Sequence, residues 1–151
     1  MKELLRVGTL VGLLAAACGG QPTSPSTSSL SAGQWTGTTT QGTAISFTVS
    51  SDEFLTSLSV GHNFNGCTGM QTFSNLHVAT TPDVVCIPGP CSSTITTSRR
   101  LSFRDGTPGA GPSTAVNGLF LPGGRAQGVA AFHDFPGCGT VTGVEWTATR
   151  R

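Results

Sequence analysis

The chain has no tyrosine, only two tryptophans, three histidines and a single lysine, Lys2. With no Tyr and two Trp, little material is left for the exposed aromatic platforms on which glycan binding often relies. Only 10% of residues are charged, and beyond Arg6 six arginines balance six acids. A neutral domain has no electrostatic footprint for nucleic acid and no polybasic patch for a membrane surface. Scarce histidine also limits chemistry. His62, His77 and His133 show neither H-x-H nor H-E-x-x-H spacing for a metal, and no G-x-S-x-G elbow is present. His133 and Asp134 are strand neighbours, which point to opposite faces. Asp52 and Glu53 read as solvated turn charge. No catalytic residue, metal or cofactor is expected, and the chain reads as a non-enzyme.

Long apolar runs are missing too. The longest, Val7 to Ala17, is interrupted by Gly8, Thr9 and Gly12. It falls short of the about 20 residues that span a bilayer. With Lys2 and Arg6 in front and Ala15, Ala16 and Ala17 behind, it fits a secretory signal over residues 1–17. The next residue is Cys18, and Leu14-Ala15-Ala16-Ala17-Cys18 resembles the lipobox of bacterial lipoproteins. That resemblance implies cleavage before Cys18 and a diacylglycerol thioether on its sulfur. It covers the first 18 residues and says nothing of the domain behind. Gly19, where some bacteria use Asp to retain lipoproteins in the inner membrane, points to the outer membrane, facing periplasm or cell surface.

Cysteine arithmetic agrees with lipidation. Of five cysteines, lipidation of Cys18 leaves Cys67, Cys86, Cys91 and Cys138, an even set for two disulfides. Residues 18–33 are then the lipidated Cys and a Gly/Pro/Ser/Thr tether without charge. Such a segment buries too little surface to offset its ordering entropy and serves as a flexible spacer.

Residues 34–151 form one domain. Helix signals are absent, and turn clusters recur every eight to twelve residues. Period two is clean in several segments: Ile45, Phe47 and Val49; Leu58, Val60, His62 and Phe64; Ile95, Thr97, Arg99, Leu101 and Phe103; Val144, Trp146 and Ala148. One apolar face per strand marks an antiparallel sheet wet on one side. The expectation is all-β: eight strands near 34–40, 43–50, 54–65, 69–78, 93–104, 114–121, 125–133 and 140–150. Joined mostly by short turns, they make a meander that is either a two-sheet β-sandwich or a flattened barrel.

The strand count specifies the disulfides. Successive turns of a meander alternate ends. Cys67 follows strand three and Cys138 follows strand seven, so both lie at one end. Cys86 and Cys91 share the loop after strand four, at the other end. The predicted pairs are Cys67 with Cys138 and Cys86 with Cys91. Trp35 and Trp146 read as packing residues, and Arg100 and Arg104 as a solvated strand face. With Arg99, the two could otherwise meet an anionic partner such as lipid phosphate.

Gly33-Gln34-Trp35 is similar to the Gly-x-Trp that opens the first strand of lipocalins, although no Thr-Asp-Tyr signature follows. That resemblance implies an eight-stranded meander barrel, an apolar ligand inside it and an arginine, Arg150, stacked on the tryptophan. Small periplasmic protease inhibitors share a similar barrel. The leading expectation is a lipid-anchored envelope domain acting as a binding or structural module. A carrier of a small apolar ligand and an envelope protease inhibitor are its rivals. The expected partners are the membrane, through Cys18, and an envelope protein or small molecule, with no nucleic acid.

Overall fold

The computed structural model describes residues 30–84 and 96–151. Cys18, Cys86 and Cys91 lie outside the described residues. The strands are β1 (Gly33–Thr39), β2 (Ala44–Val49), β3 (Phe54–Phe64), β4 (Cys67–Ala79), β5 (Thr81–Val84), β6 (Thr96–Asp105), β7 (Ser113–Leu121), β8 (Arg125–Phe135) and β9 (Gly139–Arg150). All pair antiparallel in one sheet of order β4-β3-β2-β1-β9-β8-β7-β6-β5. The first strand therefore lies beside the last, with Trp35 opposite both Phe47 and Arg150. The sheet curls into a nearly closed barrel. The two-sheet sandwich is thereby corrected: the register runs unbroken from strand to strand through β1 and β9.

The expected eight strands become nine for a local reason. The fourth strand runs down β3 to Ala79, passes Thr80, and continues as β5 along a different partner, β6. Thr80 is the hinge, and it is 4% exposed. Its N–H and hydroxyl both donate to Glu53 O, at 2.9 and 3.0 Å. Arg99 Nη2 donates to Thr80 O at 2.6 Å and Nε to its Oγ1 at 3.1 Å. Arg99 and Glu53 form an ion pair. Glu53, expected as solvated turn charge, is instead a half-buried clasp. Above this junction β4 and β6 part, and the rings of Phe73 and Phe103 bridge the seam with centroids 4.8 Å apart.

The alternating faces point where period two places them. Ile45, Phe47, Val49, Leu58, Val60, His62, Phe64, Val144, Trp146 and Ala148 are all buried. Four rings fill the middle of the barrel. Trp35 lies 5.8 Å from Phe47 and 5.0 Å from Phe120, and Phe47 lies 5.8 Å from Trp146, centroid to centroid. Each such large aromatic contributes about 3–5 kcal/mol when buried, judged by truncation. The β3–β4 hairpin turns on Asn65-Gly66, both at positive φ, the pair that matches strand twist in a two-residue loop.

Candidate functional site

Cys67 and Cys138 are joined, across 71 residues, at the end of the barrel reached after β3 and after β8. Both cysteines lie at one end of the barrel, as turn parity predicts, although they belong to one sheet rather than two. Beside the bridge lies His62, 6% exposed and ringed by Phe64, Phe132 and Phe135 at 5.2–5.7 Å between centroids. Its Nδ1 has no hydrogen-bond partner. Burial holds the imidazole below the ordinary histidine value.

The other histidines are elsewhere. His77 stacks on Phe54 at 3.9 Å on the exposed side of β4. His133, opposite Ser113, lies on β8. The Asp134 carboxylate accepts from Gly109 N–H, a loop contact. The three histidines therefore do not converge, and among the described residues no group of three His, Cys, Asp or Glu could hold a metal ion. Trp35 and Trp146 are 1% and 2% exposed, so neither offers a surface platform.

A groove of about 600 Å³ lies on the outer wall, across β6, β7, β8 and β9. Strand register explains it. Two outward rows cross the four strands: Arg100-Leu119-Gln127-Thr147 and Ser102-Asn117-Val129-Glu145. The row between them is Leu101-Gly118-Gly128-Trp146, and its two side chains point into the core. The floor of the groove is therefore backbone, framed by side chains on both sides.

The glycines are required by space. A Cβ on Gly118 would sit 2.3 Å from Trp146 Cζ2. One on Gly128 would sit 2.0 Å from Asn117 O. The indole thus occupies the interior volume that a side chain at 118 would fill, while at Gly128 it is the β7 backbone, Asn117 and Gly118, that leaves no room. Val129 is one of two exposed large apolar residues among those described, at 43%. Asn117 Oδ1 accepts from Ser102 Oγ at 2.8 Å, leaving the Asn117 amide nitrogen as a donor. Arg100 and Arg104 are exposed, as expected, and Arg100 belongs to this groove.

A second hollow of about 300 Å³ shares Gln127 and Thr147 and continues towards Thr36 and Thr38 on β1. Beyond it the outer wall changes character. A row of hydroxyls, Thr149-Thr36-Ser46-Ser59-Thr72, crosses five strands by register. No charged residue lies within β1, β2, β3 or β4. Groups able to recognise charge on the barrel wall are concentrated on β6 to β9. The sequence points to Arg100 but hides the groove, because one row alone joins residues 47 positions apart, Arg100 and Thr147. No family model, curated protein or solved structure matches the chain.

Proposed function

We propose that this chain is a lipid-anchored module of the bacterial cell envelope that binds its ligand on the outer wall of a filled barrel, without catalysing a reaction. The observation that carries this reading is the four-ring packing of Trp35, Phe47, Phe120 and Trp146. A carrier barrel keeps its interior free for a ligand, and pockets of that kind run to about 300 Å³ or more. Here aromatic rings occupy the interior, and the hollow spaces over β6 to β9 lie outside. The anchor rests on the lipobox-like residues before Cys18 and on the odd cysteine it accounts for. The described chain enters the barrel at Ser31, whose carbonyl accepts from Trp35 Nε1 at 2.8 Å. That entry is at the end opposite the Cys67–Cys138 bridge, which suits a domain held at one end and presenting its wall sideways.

Two measurements on the full chain test the reading. Expressed in a bacterium, it should take up labelled palmitate and partition into detergent, and Cys18→Ser should do neither. Solubilised envelope material should then slow backbone hydrogen exchange on β6 to β9. Equal labelling of the variant would remove the anchor. Protection confined to other strands would remove the outer-wall site.

A further inference from the structure

We propose that the groove over Gly118 and Gly128 takes a short extended peptide of about four residues, with its carboxylate towards Arg100 and its ammonium towards Glu145. This inference rests on the outer-wall reading and adds the ligand class to it.

Three features of the two rows point the same way. First, the charges are opposite and stand at opposite corners: Arg100 on β6 in one row, Glu145 on β9 in the other. Three interstrand spacings of about 4.8 Å separate those strands, so the groove is about 14 Å long. Four extended residues, at about 3.3–3.6 Å each, cover that length. Second, the two middle strands place carboxamides on opposite sides of the floor, Asn117 in one row and Gln127 in the other. Gln127 can offer a peptide bond both an acceptor and a donor, and Asn117, whose oxygen accepts from Ser102, offers the donor. Third, each row also carries one apolar side chain at the centre, Leu119 and Val129. They suit small side chains alternating to either side of an extended backbone. The floor is bare backbone because the row beneath it turns its side chains into the core, so an extended chain can lie close against it. A neutral saccharide would use neither charge and would find no ring to stack on, since Trp146 lies beneath the floor at 2% exposure.

The test is binding to the full chain in detergent, followed by chemical shifts of the Asn117 and Gln127 side-chain amides. The probes are tetra-alanine with free termini, its N-acetyl form, its C-amide form, and chitotetraose. Tetra-alanine should shift both amides. Amidation of its carboxylate should weaken binding about tenfold, a difference of 1.4 kcal/mol. That penalty should vanish in Arg100→Gln. N-acetylation should cost a similar factor and lose its effect in Glu145→Gln. Both residues are exposed, so unchanged thermal midpoints will show that the variants fold. Indifference to both caps, or no shift with tetra-alanine at about 10 mM, a concentration that reveals even millimolar affinity, overturns the proposal. Shifts of the same amides by chitotetraose alone overturn the peptide class and leave the outer-wall site standing. Shifts confined to the indoles of Trp35 and Trp146 overturn the outer-wall reading itself.

Discussion

Arg150 lies over the face of Trp35, its guanidinium carbon 6.0 Å from the ring centroid, while the two residues also sit opposite each other in the β1–β9 register. The last strand thus seals the first, and Arg150 Nη1 reaches on to Ala32 O at 3.2 Å. The Gly-x-Trp resemblance implied this stacking, and it is present. Arg150→Ala should lower unfolding stability by about 1–2 kcal/mol, from the lost cation–π contact and the lost cover of the side-chain stem. Arg151→Ala, whose exposed Nε donates to Thr36 Oγ1, should move it by less than about 0.5 kcal/mol. Urea midpoints of the two variants make the comparison, and equal effects would mean that Arg150 does not seal the barrel end.

Gly118 and Trp146 should behave as one unit. Gly118→Ala forces a methyl into the indole edge and should cost about 1–3 kcal/mol by overpacking. Trp146→Ala should cost about 3–5 kcal/mol. Combined, the two should cost less than their sum, because the small side chain at 146 leaves room for the methyl. Strict additivity in denaturant melts would place the indole away from Gly118.

The Cys67–Cys138 bridge closes a long loop, with 71 residues of separation. On the chain-entropy model it should contribute about 4 kcal/mol. Cys67→Ala should show that loss in guanidinium midpoints, and reduction of the wild type should reproduce most of it. Non-reducing peptide mapping should recover the bonded pair intact.

His62 should make the domain acid-sensitive. Burial lowers its folded-state value, so between that value and the unfolded one, about 6.5, the unfolded chain binds more protons. Stability is therefore full above pH 7 and declines as pH falls through about 6.5 towards the folded value. Its packed neighbours provide no anion in contact: Phe64, Phe132 and Phe135 surround the ring, and Gly69 lies opposite it. His62→Phe should flatten the stability curve between pH 7 and pH 5, read from denaturant midpoints at each pH. A variant with the wild-type slope would assign the acid sensitivity to other groups.

The readable part of this fold was the part governed by period two. Phe47, Leu58 and Val144 face inward because apolar and polar positions alternate over short strands with short turns. Turn parity then brought Cys67 to Cys138. Legibility failed where one strand serves two partners. Nothing in the string around Thr80 announces that Ala79 pairs with β3 and Thr81 with β6, and Asn75, at positive φ in β4, shifts the phase besides. The same failure hid the Arg99–Glu53 clasp, which exists only once that strand has bent. The groove was hidden more deeply. Gly118 and Gly128 look like two ordinary strand-weakening glycines until register sets them side by side over Trp146.

The filled interior is the claim on which the functional account turns. Titration of the full chain with an apolar fluorescent fatty acid, read by energy transfer from Trp35 and Trp146, tests it directly. The account predicts no saturable transfer, only weak and non-stoichiometric quenching. One-to-one uptake with strong transfer from both indoles would contradict it and return the barrel to a carrier role.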